Sequence, residues 1–420
     1  MKKSILASIL AGAMLLSVGC GTATESSSSD TNPNSSETPN ADIKVGVILL
    51  HDESIGYDKA HIDGIKAGAE ANGISESQII WKKSVPEDAS CADAARDLAV
   101  QGCNIVITDS YGHQFHVSDV AAEYPDVTFV SMTGDLAASS GLSNLKNAFT
   151  NVYESRYISG VVAGCKLKEL VEDGTLTKEA YPDSFDADGN IKIGYVGAFN
   201  YAEVVSGYTA FYLGVKSVVS NVVMEVEYTG SWADETKEAA SATSLVSKGC
   251  VIIGQHADTT GAPAAIEKLN KESKLCFSVG YNISMLEAAP TAALTSASNN
   301  WGVYYTYAFG CIKNKTDIKT NWSEGYATDA VKITELGKSC AKDTQEKVDE
   351  AIKGIKDGTL HVFDTSKWTV KGETLTTYTN VYGFEGNEMI SDGYFHESEL
   401  RSAPCFDIRI DGITENAMPE

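Results

Sequence analysis

The chain has 420 residues and a formal net charge of −24, from 33 Lys and Arg against 57 Asp and Glu. An acidic excess of this size repels nucleic-acid phosphates, which argues against polymeric nucleic acid as a partner. Hydrophobic residues make up 43% of the chain and charged residues 21%, a composition typical of folded domains rather than of disordered segments. A chain of this length is sufficient for two or three domains.

The first 20 residues predict an export signal. Two lysines precede an apolar stretch over residues 4–18, which is too short to span a membrane and typical of a secretory signal. Cys20 follows where a lipoprotein signal is cleaved and its cysteine acylated. Ser17 departs from the usual pattern, which has Leu three residues before the cysteine. We therefore expect a lipoprotein signal peptide ending at an acylated Cys20, with simple secretion as the alternative.

Residues 21–42 predict a disordered tether. They are rich in Ser, Thr, Asn and Pro and contain no aromatic or branched aliphatic side chain that could form a core. No later apolar run reaches the roughly 18 residues that a membrane-spanning helix needs. A lipid anchor, a tether and a folded body together predict a protein held on the extracytoplasmic face of the cell membrane.

The eight cysteines besides Cys20 predict mostly free, buried thiols. An extracytoplasmic compartment permits disulfides, but most of these cysteines stand in apolar surroundings such as residues 102–107 (GCNIVI) and 249–254 (GCVIIG). A free cysteine in such surroundings is a small buried hydrophobe. The sequence has no Cys-x-x-Cys motif and no paired Cys/His spacing, so we expect neither a metal site nor a cofactor.

After the tether, short apolar runs alternate with helix-length segments. The runs are residues 45–50, 104–108, 128–131, 192–197, 222–228, 251–255 and 276–280. This alternation predicts buried parallel strands in doubly wound α/β sheets. An amphipathic helix is predicted at residues 342–356.

Two halves of the chain repeat one order of motifs. A strand-like segment begins at Lys44 and another at Lys192, and a Gly-Cys pair follows each, at Gly102 and at Gly249. The repeat predicts two similar lobes. The first comprises residues 43–150 with a return segment at about 291–315, the second comprises residues 151–290, and residues 316–420 complete the lobes.

Polar and aromatic side chains concentrate in the loops after the predicted strands. Ligands of open α/β sheets bind outside the carboxyl ends of the strands, so these loops should face each other across a cleft. Aromatic faces with carboxylates and amides suit a flat, hydrogen-bonding small molecule. The candidate ligand-binding residues are Tyr57, Asp109, Ser110, Tyr111, Phe199, Glu203, His256, Asp258, Tyr281, Asn282 and Trp301.

Two tryptophans have alternative interpretations. Trp301 either stacks on a ligand or belongs to the core of a helix that continues through Tyr304 and Tyr305. Trp232 stands in a segment that is typical of a helix start, with Ser231 or Asp234 as the capping residue.

Seven stretches in one order resemble the basic membrane protein family of lipoproteins, also called the purine nucleoside receptor family. The resemblance covers residues 44–364, and the stretches are residues 55–61, 109–112, 151–164, 192–214, 231–239, 255–261 and 299–305. It implies a two-lobed periplasmic-binding-protein type I fold and a substrate-binding component of an ABC importer. It also implies a purine base or nucleoside as ligand, hinge closure around that ligand, and an ABC permease as partner.

Some cleft positions depart from the purine-base-binding branch that the chain resembles most. Tyr57 and Tyr111 stand where this branch tends to have Trp and Phe, which keeps an aromatic face at both positions. Thr259-Thr260 replaces Ser-Pro. Asn282 stands where many relatives have an Asp, which the resemblance associates with the sugar or polar edge of the ligand in nucleoside-binding members, so this position argues against sugar recognition.

The sequence favours a binding protein over an enzyme. It contains no Gly-x-Ser-x-Gly elbow, no P-loop, no GxGxxG fingerprint and no HExxH motif. Two alternatives remain. One is a ligand sensor of the same fold for a different small ligand such as a sugar. The other is a nucleoside hydrolase in which Asp258 and His256 would activate water.

Overall fold

The computed structural model describes residues 43–417. The predicted signal peptide, the acylation site Cys20 and the tether lie outside the described residues. In the described part of the chain, no helix combines the length and the apolar character needed to span a bilayer.

The strands and helices alternate along most of the described chain. The strands are β1 (Val45–Ile48), β2 (Ile79–Lys82), β3 (Ile105–Thr108), β4 (Thr128–Met132), β5 (Leu145–Thr150), β6 (Ile191–Gly197), β7 (Val222–Tyr228), β8 (Ile252–His256), β9 (Phe277–Tyr281), β10 (Ala293–Asn299), β11 (Asn321–Glu324), β12 (Val331–Ile333), β13 (Ile390–Ser391), β14 (Tyr394–Phe395) and β15 (Ile413–Glu415). The helices are α1 (Gly56–Asn72), α2 (Ala89–Val100), α3 (Gln114–Glu123), α4 (Ala137–Ser140), α5 (Val152–Glu172), α6 (Ala202–Val218), α7 (Glu235–Ser247), α8 (Gly261–Lys271), α9 (Trp301–Asn314) and α10 (Thr344–Lys356).

The strands form two large sheets with the same central order. The first sheet runs β11-β5-β4-β3-β1-β2, and all of its pairs are parallel. The second runs β12-β10-β9-β8-β6-β7-β15, in which only β12 is antiparallel to its neighbour. Apolar side chains are buried on both faces of each sheet, as a doubly wound arrangement requires. The predicted two-lobed α/β fold is confirmed.

Within residues 43–417, the backbone passes between the lobes three times. The passages lie at residues 150–152, 299–301 and 324–331. The predicted return segment, residues 291–315, therefore divides: β10 belongs to the second sheet, and only α9 packs against the first lobe, on α1. The run ALTSASN of β10 is fully buried but has few large apolar residues, so hydrophobicity did not reveal it as a strand.

Helices α5 and α6 pack unusually close on the second lobe. A Cβ atom on Gly160 would lie 2.2 Å from the carbonyl oxygen of Phe211, and one on Gly214 would lie 2.1 Å from that of Tyr157. Only glycine permits this approach of the two backbones. The contact fixes both helices, whose N-terminal parts carry Arg156 and Glu203 to the cleft side of the sheet.

The C-terminal part of the chain lies on the second lobe. Helix α10 packs against α5, and β15 extends the second sheet beside β7. Phe363 and Phe406 stack with their ring centroids 4.3 Å apart inside the same core as Tyr157. Seven of the eight cysteines from Cys91 to Cys405 are buried, and all eight are free thiols, as predicted.

Candidate functional site

A cleft between the lobes is lined by side chains that follow the carboxyl ends of the strands. The first lobe contributes Leu50, His51, Tyr57, Asp58, Ser110, Tyr111 and Thr133, and the second contributes Glu203, Trp232, Asp258 and Tyr281. The cleft encloses about 450 Å³ of empty space, part of which is open to solvent. Parallel strands place these loops at one edge of each sheet, which is why residues distant in sequence meet there.

The two lobes approach each other directly beside this cleft. A Cβ atom on Gly56, in the first lobe, would lie 3.2 Å from Cγ1 of Ile283 and 3.3 Å from the backbone oxygen of Asp258, both in the second lobe. The start of α1 therefore packs against the loops that follow β8 and β9.

Tyr57 forms an aromatic part of the first-lobe wall. Its hydroxyl donates a 2.7 Å hydrogen bond to the backbone oxygen of Asp109. Its ring meets His61 edge to face, with a centroid distance of 4.6 Å. His61 in turn stacks on Trp301 at 4.4 Å. Trp301 is only 1% exposed and does not line the cleft, so the core interpretation of this residue is the one that the structure supports.

Two carboxyl groups lie close together on the first-lobe side. Asp58 accepts a 2.7 Å hydrogen bond from the backbone N–H of His51, and Asp109 accepts one of 2.9 Å from that of Leu50. The second oxygen of Asp109 is buried and has no hydrogen-bond partner in the structure. Burial, and secondly the charge of Asp58, raises the pKa of Asp109 well above its ordinary value. Of the two, Asp58 is the one that lines the cleft.

Glu203 stands in the first turn of α6, where the helix dipole favours a negative charge. Its Oε1 lies 3.2 Å from Nε2 of His256. Burial raises the pKa of Glu203 to about 7, against a smaller opposing effect of Arg156. Burial lowers the pKa of His256 well below its ordinary value, and Arg156 lowers it further. The lowered pKa favours the neutral form of His256, which contacts Glu203 from behind the cleft wall.

Asp258 follows β8 and is held by a neighbouring loop. The side-chain amide of Asn282 donates a 2.9 Å hydrogen bond to its Oδ1. Burial raises the pKa of Asp258 well above its ordinary value, as do, more weakly, the charges of Glu238 and Glu203. Asn282 itself is buried behind Asp258, with a left-handed backbone conformation at φ 63°.

Arg156 is a buried cation beneath the second-lobe wall. Its guanidinium carbon lies 3.7 Å from the ring centroid of Tyr281, and one of its nitrogens donates to the backbone oxygen of Gln255. Its other two nitrogens are buried and have no hydrogen-bond partner in the structure. The stack fixes the Tyr281 ring, which forms the wall above it. Arg156 is not among the candidate residues predicted from the sequence, although it lies in residues 151–164, one of the stretches that resemble the family.

Trp232 and Phe199 form an aromatic edge of the second-lobe wall. Their ring centroids are 5.4 Å apart, edge to face, and Phe199 also stacks on the exposed Tyr201 at 5.2 Å. Trp232 lines the cleft, whereas Phe199 supports it from the side. The helix cap predicted near Trp232 is Asp234, whose side chain accepts from the backbone N–H of Lys237 at 3.0 Å.

The structure brings six of the eleven candidate residues into the cleft wall. These are Tyr57, Ser110, Tyr111, Glu203, Asp258 and Tyr281. Asp109, Phe199, His256 and Asn282 instead form a second layer that contacts the wall, and Trp301 lies behind His61. The wall residues missing from the candidate set are Leu50, His51, Asp58, Thr133 and Trp232. The same rule of loops after strands would have found Thr133, since it follows β4 directly.

Residues 45–365 match the family model of PnrA-like ABC transporter substrate-binding proteins. The chain belongs to this family. Its members are extracytoplasmic solute-binding proteins, and the resemblance predicted from the sequence is thereby confirmed. Among residues 43–417, no group of three or more His, Cys, Asp or Glu side chains is arranged to hold a metal ion.

Individual relatives agree with this assignment. A purine-binding protein of Brucella abortus (strain 2308) is 28% identical over 345 residues, which span 80% of this chain and 89% of the relative. A protein of Haloferax volcanii, provisionally named an ABC transporter glucose-binding protein, is 24% identical over 336 residues, 79% of this chain and 75% of the relative. A solute-binding protein of an ABC transporter system from Aeropyrum pernix K1 superimposes with a TM-score of 0.62 at 15% identity, covering 76% of this chain and 93% of that one. The fold is the two-lobed periplasmic-binding-protein type I fold.

Proposed function

We propose that this chain is a lipid-anchored solute-binding protein that captures a purine base or nucleoside in the interlobe cleft and delivers it to an ABC permease. The observation that carries the proposal is the composition of the cleft wall. Aromatic rings from both lobes stand beside carboxyl groups from both lobes, so a flat ligand can be held by its faces and by its edges at once.

The aromatic rings supply the contact with the faces of a ligand. Tyr57 and Tyr111 belong to the first lobe, and Trp232 and Tyr281 to the second. Stacking of a base on an aromatic side chain is worth roughly 1–3 kcal/mol in nucleic-acid systems. Rings from both lobes engage the same ligand only when the lobes are together, which couples stacking to closure of the cleft.

The carboxyl groups supply the contact with the edges. Asp58, Glu203 and Asp258 line the cleft, and carboxylate oxygens accept hydrogen bonds from ring and exocyclic N–H groups of a purine. Buried carboxylates without donors are costly, so the site favours a ligand that is rich in N–H or O–H donors. For the same reason it disfavours phosphorylated ligands, because a phosphate group brings further acceptor oxygens instead of donors.

The name of the Brucella abortus relative supports a purine as ligand. A sugar is the second candidate, supported by the name of the Haloferax volcanii relative and by hydroxyl groups being donors to the same carboxylates. A sensor of the same fold would use this cleft in the same way and would differ in its membrane partner. A nucleoside hydrolase has less support, since His256 is paired with Glu203 and Asp258 with Asn282, which leaves no Asp258–His256 pair to activate water.

Anchoring and delivery complete the proposal. Acylation of Cys20 would hold the body, through residues 21–42, on the extracytoplasmic face of the membrane. Three chain passages join the lobes and form the hinge, at which Glu154 accepts a 2.7 Å hydrogen bond from the backbone N–H of Tyr326. The permease would recognise the closed form.

A thermal-shift screen of residues 42–420 tests the ligand class. The protein is unfolded and refolded first to remove carried-over ligand, and is then heated with bases, nucleosides and sugars. A ligand at 100 times its dissociation constant adds about 2.7 kcal/mol to the free energy of unfolding. A shift with purine bases or nucleosides supports the proposal. A shift with sugars alone, or release of free base from a nucleoside, contradicts it.

Matched variants show whether the shift arises in the cleft. Tyr57→Ala removes an aromatic face and should abolish most of the ligand-dependent shift. Tyr382→Ala removes an equally large ring that is 87% exposed and does not line the cleft, and the shift should survive. Equal loss in both variants would place the ligand elsewhere.

A further inference from the structure

The chain continues well beyond the family match, which ends at residue 365. Within this continuation, residues 397–406 form a loop that is fixed to the second lobe and touches the first. Because the three passages of the backbone are the hinge, a contact made by this loop is an additional link between the lobes.

Glu397 fixes the loop to the second lobe. Its carboxylate accepts hydrogen bonds from the backbone N–H groups of Cys405 at 2.7 Å and Phe406 at 2.8 Å, which closes the loop on itself. The hydroxyl of Ser206, on α6, lies 3.4 Å from the same carboxylate. Phe406 is fully buried in the second-lobe core, so the end of the loop cannot leave that lobe without exposing it.

Arg401 connects the loop to the first lobe. One of its terminal nitrogens donates to Oδ2 of Asp135 at 2.9 Å, and Asp135 stands just after β4. The side chains of Arg401 and Asp135 are 9% and 17% exposed, so the ion pair is largely shielded from water. The hydroxyl of Ser402 also reaches the backbone oxygen of Gly134, at 3.3 Å.

Contacts within the C-terminal continuation also hold the guanidinium of Arg401 in place. Its second terminal nitrogen donates to the backbone oxygen of Pro404 at 3.2 Å, inside the loop itself. Its carbon lies 5.8 Å from the ring centroid of Phe384, which belongs to the same C-terminal continuation. A fixed guanidinium loses little freedom when it forms the ion pair, which favours a real contribution of the pair to closure.

Asp135 connects this ion pair to the cleft wall. The hydroxyl of Tyr111 lies 3.3 Å and 3.4 Å from its two carboxylate oxygens, and the side-chain amide of Gln114 donates to one of them at 3.2 Å. Tyr111 lines the cleft. Arg401, Asp135 and Tyr111 thus form a continuous chain of contacts from the C-terminal continuation to the candidate ligand site.

We infer that residues 397–406 are a latch: they hold the two lobes together through Arg401 and Asp135, and through Asp135 they position Tyr111 against the ligand. Opening of the cleft separates a largely buried ion pair and leaves both charges without their partner. The latch therefore slows opening. Its action on the lobes does not depend on the ligand, whereas its action on Tyr111 rests on the proposed function.

Solution X-ray scattering of the mature chain without its lipid, residues 21–420, tests the latch in the absence of any ligand. Arg401→Gln and Asp135→Asn each remove one partner of the pair. Each should increase the radius of gyration, and the double variant should add nothing to the larger single effect, because both changes break one contact. Radii equal to that of the wild type in both single variants would overturn the inference.

An ion pair inside one lobe provides the control. Arg96 makes a two-point contact with Glu123 at 2.8 Å on the first lobe, away from the cleft. Arg96→Gln removes a charge of the same kind and should leave the radius of gyration unchanged. An increase of equal size in this variant would show that loss of charge, rather than loss of the latch, opens the protein.

Ligand kinetics test the positioning of Tyr111. With whichever purine or nucleoside the screen identifies, Arg401→Gln should raise the dissociation rate about tenfold and leave the association rate nearly unchanged. Arg401→Lys keeps the charge and should recover part of the slow dissociation. Unchanged dissociation in Arg401→Gln would overturn the positioning role. If no purine binds at all, the proposed function fails while the scattering result still decides the latch.

Discussion

The side-chain amide of Asn282 donates a hydrogen bond to the carboxylate of Asp258 across 2.9 Å, in the loops that follow two neighbouring strands of the second lobe. Asn282, which was predicted as a ligand-binding residue, therefore holds a cleft carboxylate in this structure. Both residues are more than nine-tenths buried. The pair consequently fixes where the second lobe presents Asp258 to a ligand.

Asn282→Asp should destabilise the ligand-free protein. The substitution replaces a donor by a second carboxylate beside Asp258, and a buried group that loses its partner costs about 1–3 kcal/mol. Urea denaturation at neutral pH measures the change in the free energy of unfolding. Asn221→Asp, at an exposed position, adds the same charge and should change stability by less than about 0.5 kcal/mol. Equal stability of the two variants would contradict the structural role of the amide.

Glu203→Gln should gain stability relative to the wild type as the pH rises. In the folded protein burial raises the pKa of Glu203 from 4.5 to about 7, so the folded state retains a proton that the unfolded state has released. The wild type therefore loses stability between about pH 4.5 and pH 7, and glutamine removes that loss. We expect the difference between variant and wild type to shift by about 1–3 kcal/mol from pH 5 to pH 8.

At each pH, the free energy of unfolding of the wild type, measured by urea denaturation, is subtracted from that of Glu203→Gln. The contribution of the histidines cancels, because both proteins contain them. His61 shows why this is needed, because burial lowers its pKa from 6.5 to about 3. Below about pH 6.5 the unfolded state therefore binds a proton that the folded state does not, and the protein loses stability as the pH falls. A difference for Glu203→Gln that does not change with pH would show that the carboxyl is solvated.

Tyr57→Phe and Tyr57→Ala should separate the hydroxyl of this residue from its ring. The hydroxyl bonds to the backbone oxygen of Asp109 at 2.7 Å, so Tyr57→Phe should cost about 1 kcal/mol of stability and leave the aromatic face intact. Tyr57→Ala also removes the face and should weaken purine binding by a factor of roughly ten to a hundred, the equivalent of one stacked base. Urea denaturation measures the loss of stability and calorimetric titration with ligand measures the loss of affinity. Equal affinities of the two variants would show that the ring does not contact the ligand.

Gly160→Ala should destabilise the second lobe strongly. The added methyl group would lie 2.2 Å from the carbonyl oxygen of Phe211, so α5 and α6 must move apart, at a cost of about 2–4 kcal/mol. Gly302→Ala is the matched control on α9, because its added methyl group would meet no atom closer than 3.5 Å. There alanine should stabilise the helix by up to about 1 kcal/mol. Thermal unfolding of the two variants should thus move in opposite directions.

The predicted strands agree with the observed ones wherever a strand is a continuous apolar run. The run 222–228 coincides with β7, the run 192–197 begins one residue after β6 does, and the runs 251–255 and 276–280 are each displaced by one residue from β8 and β9. Strands β2, β5 and β10 were missed for a common reason. β2 is a partly exposed edge strand, and β5 and β10 contain buried polar residues, so none of the three shows a long apolar run.

The candidate site was likewise predicted only in part from the sequence. Loops that follow apolar strands were identified, and they supplied Tyr57, Ser110, Tyr111, Glu203, Asp258 and Tyr281 to the cleft wall. Which side chain of a loop faces the cleft, and which one supports it from behind, was not visible. Asp109 and Asp58 illustrate this, since both are buried aspartates after first-lobe strands, but only Asp58 lines the cleft.

The sequence by itself determined the two α/β lobes, their order along the chain and the loops that carry the candidate site. It could do so because strand burial, helix spacing and strand ends are local properties, repeated in both halves. Only the tertiary structure decided that Arg156 supports Tyr281, that Asn282 holds Asp258 and that Arg401 meets Asp135. These contacts join residues that are 24 to 266 positions apart, and no local pattern specifies such a pairing. They depend on how the sheets place their loops and on how the C-terminal continuation returns across both lobes.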